Sequence, residues 1–272
     1  MQRLAVNGAE LAYVDQGQGV PVVFVHGALG DYRTWNAQLK PFVLRYRVIA
    51  YSRRYHHPDD GPEEGTGYTP DLHAGDLAGL LRSLSREPVH LIGHSYGGAV
   101  AAILAAKHPE LVRGLVLAEP TLFSLLTQKP ENRPLVQEII SLTEQVLERW
   151  RNDGPETAVR HFINAVIAPG TFDELATPVR AVMMDNVGTL KLMLRGTSQA
   201  IPFKSDDARK ILAPTLLLEG ALSSTVFRQT IRELEQDLPE SECVTLPAVS
   251  HGLHLENPQP FNRIALEFLS RH

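Results

Sequence analysis

Short apolar segments recur along this 272-residue chain, and stretches with helical periodicity separate them. Near-continuous apolar runs are typical of strands that are buried on both faces of a parallel sheet. Such runs predict strands at residues 20–25, 47–51, 88–92, 114–118, 214–218 and 242–246. Two further segments, 3–6 and 10–14, flank Asn7-Gly8, a dipeptide that favours a tight hairpin turn. The alternation predicts an α/β fold with a mostly parallel, eight-stranded sheet flanked by helices.

Residues 97–107 (GGAVAAILAAK) are small or apolar around the whole helical circumference, which predicts a buried helix. Residues 121–207 interrupt the alternation, because they carry helical apolar stripes, many prolines and no convincing strand. We interpret this segment as a helical insertion over the sheet, within a core formed by residues 1–120 and 208–272. Residues 53–69 (RRYHHPDDGPEEGTGYT) are polar and rich in glycine and proline. They predict a solvated loop, long enough to have a function.

The composition limits the classes of partner that we expect for this protein. The net charge is −5 and the isoelectric point is about 6.1, whereas a surface that binds nucleic acid is normally basic, so nucleic acid is not expected. Cys243 is the only cysteine, which fits a reducing compartment. The N-terminus lacks an apolar leader and no apolar run is long enough to cross a bilayer. We therefore expect a cytoplasmic protein with no membrane partner, either a monomer or a homodimer.

One motif points to a nucleophile. Gly93-His94-Ser95-Tyr96-Gly97 matches G-x-S-x-G and lies between a predicted strand and a predicted helix. In such a turn the serine adopts a strained conformation, and the residues two before and two after it come close together. Only very small residues fit there, which explains the two glycines. Ser95 is therefore the predicted nucleophile, and the Tyr96 N–H is a predicted oxyanion donor.

A second glycine-containing turn, residues 25–30 (VHGALG), follows another predicted buried strand. Gly27 permits backbone geometry that other residues resist. The Ala28 N–H is then the second predicted oxyanion donor. His26 is expected to be structural and to hold this loop through hydrogen bonds.

A serine hydroxyl needs a neighbouring base. His251 lies between the last predicted strand and the last predicted helix, which places it at the same edge of the sheet as Ser95. The stretches HGALG, GHSYGG and SHGLHLENP resemble the α/β-hydrolase superfamily, in its esterase, lactonase and carbon–carbon hydrolase branches, over nearly the whole chain. In that family Glu and Pro follow the catalytic histidine at the spacing of Glu256 and Pro258, which favours His251 over His254.

The resemblance implies roles for the remaining histidines as well. His94 and His254 are expected to be neighbours of the site. The others are expected at the surface or in loops rather than in catalysis: His56, His57, His73, His90, His108, His161 and His272.

The carboxylate that orients the histidine departs from the family's usual pattern. Its common position follows the strand at 214–218, where Ser223 stands and supplies no charge. An alternative position in the superfamily follows the preceding strand, and Glu119 occupies it. A carboxylate among apolar residues is costly unless it is paired, and His251 is the predicted partner. Glu219 is the competing candidate.

The resemblance thus implies an α/β-hydrolase fold with residues 121–207 as a helical cap over the active site. It implies a serine hydrolase that cleaves a small to medium hydrophobic ester or lactone through an acyl-enzyme, with no metal or organic cofactor. Carbon–carbon bond hydrolysis on the same triad, or a small-molecule receptor with little turnover, are the alternatives. Candidate pocket residues in the cap are Phe123, Leu126, Phe162, Met183, Met184 and Met193.

Overall fold

A central sheet organises the computed structural model, which describes residues 1–59, 61, 67–196 and 202–272. Within these residues the strands are β1 (Gln2–Val6), β2 (Ala9–Gln16), β3 (Pro21–Val25), β4 (Arg47–Tyr51), β5 (Val89–His94), β6 (Val112–Ala118), β7 (Thr215–Gly220) and β8 (Ser241–Leu246). They form one sheet in the order β1-β2-β4-β3-β5-β6-β7-β8. The β1–β2 and β2–β4 pairings are antiparallel and the others are parallel. Every predicted strand is therefore confirmed, with its ends shifted by at most two residues.

The helices cover both faces of this sheet. The described α-helices are α1 (Asn36–Val43), α2 (Pro70–Leu84), α3 (Tyr96–Lys107), α4 (Arg133–Asp153), α5 (Pro155–Val166), α6 (Thr171–Glu174), α7 (Thr177–Asp185), α8 (Val187–Gly196), α9 (Ser205–Ala208), α10 (Thr225–Asp237), α11 (Leu253–Glu256) and α12 (Pro258–Leu269). Successive residues of a central strand face different layers. In β3, Val23 and Val25 pack with α2 and α3, whereas Val22 and Phe24 pack with α1 and α12. The predicted buried helix is α3, in which all residues except Lys107 are buried.

The segment 121–207 contains helices α4 to α8 and, among its described residues, no strand. Proline lies in the first turn of α4, α5 and α7, where it has no intrahelical hydrogen bond to lose. Helix α4 contacts both α5 and α8. The limits of this insertion at 121 and 207 stay a prediction. In the described part of the chain, no helix combines the length and apolarity required to cross a membrane.

Three histidines that we expected at the surface or in loops are buried. The prediction is wrong for His73 in α2 and His90 in β5, whereas His56 does lie in a loop. His56, His73 and His90 are at most 2% exposed. Burial, with a smaller effect of nearby positive charge, lowers the pKa of His90 to about 4. The pKa values of His56 and His73 are lowered well below 6.5 for the same reason. Local polarity suggested exposure, but tertiary packing over these segments removed the rings from water.

Gly97→Ala should destabilise the fold. A methyl group at Gly97 would overlap the carbonyl oxygens of Val25 and His26, whereas one at Gly75 in α2 would meet nothing within 4 Å. Alanine favours a helix over glycine by about 0.5–1 kcal/mol. We therefore expect Gly75→Ala, the matched control, to keep or raise the free energy of unfolding. We expect Gly97→Ala to lower it by about 1–3 kcal/mol. Urea unfolding followed by far-UV circular dichroism measures both, and equal effects would contradict the close approach at Gly97.

His254 should make the protein less stable in acid. Burial, and to a lesser extent the His251 charge, lowers its pKa from 6.5 to about 3. As the pH falls below 6.5, the unfolded chain binds a proton at this ring first, so the free energy of unfolding decreases until about pH 3. Between about pH 7.5 and pH 5.5 the loss due to this residue is about 1.4 kcal/mol.

His254→Phe removes this titration and keeps a ring against Trp35, whose centroid lies 4.4 Å away. Urea unfolding at several pH values should therefore show a shallower pH dependence for the variant than for the wild type. Parallel curves for the two proteins would contradict the prediction.

Candidate active site

Ser95 lies at the turn between β5 and α3. Its φ is 54° and its ψ is −123°, a conformation with positive φ that costs a residue with a side chain about 1–3 kcal/mol. The Ser95 N–H donates to the Ala118 carbonyl at 2.9 Å, and the Ser95 carbonyl accepts from Thr121 N–H at 3.2 Å. A Cβ at Gly93 would lie 2.7 Å from the Gly97 carbonyl oxygen. The predicted strained turn between two glycines is thus present.

Glu119 and His251 are hydrogen-bonded to each other. His251 Nδ1 lies 2.6 Å from Glu119 Oε2, and the Gly220 N–H donates to Glu119 Oε1 at 2.7 Å. Glu119 is fully buried and His251 is 4% exposed. Both carboxylate oxygens therefore have donors, which offsets the cost of burying this group.

Glu219, the competing candidate, has a different environment. Its Oε1 accepts a hydrogen bond from Thr245 Oγ1 at 2.8 Å in an exposed setting. Ser223, at the family's usual acid position, is buried, and its hydroxyl has no hydrogen-bond partner among the described residues. The structure therefore brings Glu119, rather than Glu219, to His251.

Aromatic rings hold the His251 imidazole in place. Phe227 stacks on it with a centroid separation of 3.8 Å and an interplanar angle of 14°. His94 Nε2 donates to the His251 carbonyl at 2.8 Å, and the His94 ring also contacts His254 at a centroid distance of 4.5 Å. Both histidines are thus neighbours of the site, as expected. Among the described residues, no hydrogen bond joins the Ser95 hydroxyl to His251, although both residues line one cavity.

The Gly27 turn brings Ala28 close to Ser95. A Cβ at Gly27 would lie 2.9 Å from His94 Nδ1 and 3.2 Å from Ser95 Cβ, so any larger residue would push this loop away. Ala28, Ser95 and Tyr96 line the same cavity. His26 has the structural role that we expected. Its Nδ1 donates to the Gly27 carbonyl at 2.9 Å, and its Nε2 accepts from the Arg53 N–H at 3.0 Å.

The expectation of a solvated loop over residues 53–69 is wrong for three of its members. Arg53, His56 and Tyr68 are at most 1% exposed. His56 bonds the Gly30 carbonyl through Nδ1 at 2.6 Å and the Tyr68 hydroxyl through Nε2 at 2.7 Å. Residues 60 and 62–66 lie outside the described residues. The described part of the loop therefore packs against the 25–30 turn. In the sequence, the only indication of this burial is that the loop directly follows a buried strand.

Two cavities meet at Ser95, and both are mainly apolar. The first is lined by residues that include Phe123, Ile139, Leu142, Phe162, Met193 and Phe227, and the second by residues that include Ala28, Phe162, Val182, Met183, His251 and Leu255. Of the cap residues proposed for the pocket, Leu126 and Met184 line neither cavity and pack elsewhere in the core. Phe227, Ile139 and Leu142 were missed. Among the described residues, no group of three acidic, histidine or cysteine side chains is placed to hold a metal ion.

Comparison with known proteins identifies the family of the chain. Residues 20–258 match the family model described as alpha/beta hydrolase fold. The non-heme chloroperoxidase CPO-A1 of Kitasatospora aureofaciens is 30% identical over 275 residues, covering 97% of this chain and 98% of that protein.

Two solved structures have a similar fold. A thermophilic esterase from Thermogutta terrifontis has a TM-score of 0.79 and 25% identity, covering 100% of this chain and 99% of that one. The enol-lactonase from Burkholderia xenovorans LB400 has a TM-score of 0.80 and 21% identity, covering 99% of this chain and 100% of that one. With the family model spanning most of its length, the chain belongs to the α/β-hydrolase family.

Proposed function

We propose that the protein is a serine hydrolase that cleaves small to medium hydrophobic carboxylic esters or lactones through an acyl-enzyme. One observation carries the proposal. His251 Nδ1 lies 2.6 Å from the buried Glu119 carboxylate, and His251 lines a cavity together with Ser95, which sits on a nucleophile turn. A serine, a base and a carboxylate that orients the base are the groups required for acyl transfer.

In this mechanism Glu119 accepts a hydrogen bond from the Nδ1–H of His251, which fixes the tautomer whose Nε2 is free to accept a proton. His251 removes the proton from Ser95 Oγ, and Oγ attacks the substrate carbonyl to form a tetrahedral intermediate. The protonated His251 then donates to the leaving alkoxide, and the carbon–oxygen bond breaks to give the acyl-enzyme. Water, deprotonated by His251, attacks the ester carbon and releases the acid and Ser95.

The negative charge on the tetrahedral intermediate requires donors that are already in place. In our proposal the Ala28 and Tyr96 N–H groups supply them, since both residues lie at the cavity beside Ser95. Tyr96 is the first residue of α3, where N–H groups have no intrahelical acceptor and the helix dipole favours negative charge. Removal of one such donor typically lowers kcat by about 10²–10³-fold.

The apolar lining supports a hydrophobic substrate. Phe123, Leu142 and Phe162 line the first cavity, whose wall is mainly apolar although Glu138 also lines it. The similarity to the Thermogutta terrifontis esterase, at 25% identity over the full chain, favours ester hydrolysis as the first activity to test. Carbon–carbon bond hydrolysis and a receptor with little turnover would use the same residues, and absence of turnover of every ester and lactone would favour them.

Ser95→Ala should abolish ester hydrolysis. Without the Oγ nucleophile no acyl-enzyme forms, so kcat for p-nitrophenyl butyrate should fall by at least about 10⁴-fold. Release of nitrophenol by wild type and variant measures this, with thermal melting as the control for folding. Activity retained by the variant would overturn the assignment of Ser95. A folded wild type that turns over no ester or lactone of a short- to medium-chain panel would overturn the proposed substrate class.

Glu119→Gln should lower kcat by about 10³–10⁴-fold. The glutamine amide can still accept from Gly220 N–H, but its NH₂ then faces His251 Nδ1 and favours the tautomer with the proton on Nε2, which cannot accept from Ser95. Glu219→Gln is the matched control, because its carboxylate contacts Thr245 instead. We expect its kcat within twofold of the wild type, by analogy with surface substitutions (about ±0.5 kcal/mol). A larger loss in Glu219→Gln than in Glu119→Gln would reverse the assignment.

A further inference from the structure

Arg53 is a buried arginine that donates hydrogen bonds to the turn containing Ala28. It lies two residues beyond the end of β4 and is 1% exposed. Its Nε donates to the His26 carbonyl at 3.2 Å and its Nη2 to the Gly27 carbonyl at 3.0 Å. Its Nη1 donates to the Tyr68 hydroxyl at 3.0 Å. The planar fork of the guanidinium therefore holds two successive carbonyl groups of one turn.

The Gly27 carbonyl and the Ala28 N–H belong to the same peptide group. This peptide is trans, so its carbonyl and its N–H point in opposite directions. Arg53 thus lies on the carbonyl side, and the N–H points away from it. A charged donor on a carbonyl oxygen polarises the peptide, which makes the N–H a stronger donor.

Arg53 also contacts the residue that carries the second N–H. Its guanidinium carbon lies 4.7 Å from the centroid of the Tyr96 ring, within the range of a cation–π interaction. One side chain therefore contacts both the 25–30 turn and the turn that contains Ser95.

The neighbouring Arg54 has a different set of partners from Arg53. Arg54 forms an ion pair with Asp76 at 2.8 Å, whereas no carboxylate within residues 1–59, 61, 67–196 and 202–272 pairs with Arg53. Burial, and then the Arg53 charge, hold the pKa of His26 and His73 well below 6.5, so these rings are neutral. Among the described residues that contact the 25–30 turn from this side, Arg53 therefore supplies the principal charge.

We propose that Arg53 is a positioning residue for the oxyanion site: its guanidinium orients and polarises the Gly27–Ala28 peptide so that the Ala28 N–H stabilises the tetrahedral intermediate. This inference rests on the proposed function. The guanidinium touches no reacting atom and acts through the peptide, so its effect belongs to the transition state and leaves substrate binding largely unchanged.

The test compares Arg53→Met, Arg53→Lys and wild type at a temperature where all are folded by circular dichroism. Arg53→Met should lower kcat for p-nitrophenyl butyrate by about 30- to 100-fold with KM changed by less than about threefold, because the effect is smaller than the loss of a donor itself. Arg53→Lys, with a single ammonium that cannot hold both carbonyls, should lower kcat about tenfold. A folded variant of either kind with wild-type kcat would overturn the proposal, so the lysine variant decides if the methionine variant does not fold.

A transition-state analogue separates positioning from mere stability. The boron of 1-butaneboronic acid accepts Ser95 Oγ as the proton moves to His251, giving a tetrahedral anion at the oxyanion site. Its affinity, measured by isothermal titration, should fall in the Arg53 variants by the same factor as kcat/KM. A purely structural role would lower the melting temperature and leave both quantities unchanged in the folded protein, and that result would overturn the proposal.

Arg54→Met is the matched control, since it removes the adjacent guanidinium and breaks the Asp76 ion pair. It should lower stability while kcat stays within about twofold, because Arg54 does not touch the 25–30 turn. An equal loss of kcat in Arg54→Met would overturn the specific role of Arg53. A wild type that neither turns over esters nor binds the boronate would overturn the proposed function itself, whereas an active wild type with unaffected Arg53 variants overturns this inference alone.

Discussion

The backbone of Ser95 adopts a positive φ of 54°, and the packing around the site accommodates it. Three glycines permit the close contacts at this turn: Gly93 and Gly97 on either side of Ser95, and Gly27 in the neighbouring 25–30 turn. The strain of about 1–3 kcal/mol is offset by hydrogen bonds to β6 and by the burial of α3 over its whole length. The same closeness places Ala28 beside Ser95, so the conformation of the serine and the position of the 25–30 turn depend on each other.

The surroundings of this turn are buried, which strengthens every electrostatic interaction there. Glu119 has a donor for each carboxylate oxygen, and one of these donors is the catalytic candidate His251. On the opposite side of the turn, Arg53 supplies positive charge through the Gly27 carbonyl. The rings of His94 and His254 pack beside His251 and add no charge there, because burial lowers their pKa values. The cost of this arrangement is stability in acid, since the unfolded chain protonates those rings first.

Helices of the segment 121–207 contribute to the wall of the candidate site. Side chains from α4, α5 and α8 line the cavity at Ser95, and a polar link joins this segment to the core, where Asn186 donates to the buried Asp31 at 2.7 Å. In the proposed reaction, an acyl group in this cavity would contact mainly apolar side chains.

The sequence by itself determined the strands, the serine turn and the choice of His251 as the candidate base. Apolar periodicity, glycine spacing and position after a strand are local properties of the chain. The sequence left Glu119 and Glu219, at the ends of neighbouring strands, as candidates for the acid. Only the tertiary structure decided which of them contacts His251, since the pairing of β6 with β7 directs Glu119 toward His251 and leaves Glu219 with Thr245. It also decided the state of Arg53, His56 and His73, whose polar sequence neighbourhood predicted solvent. Burial depends on which distant segments pack against a residue, and that information is absent from its own stretch of chain.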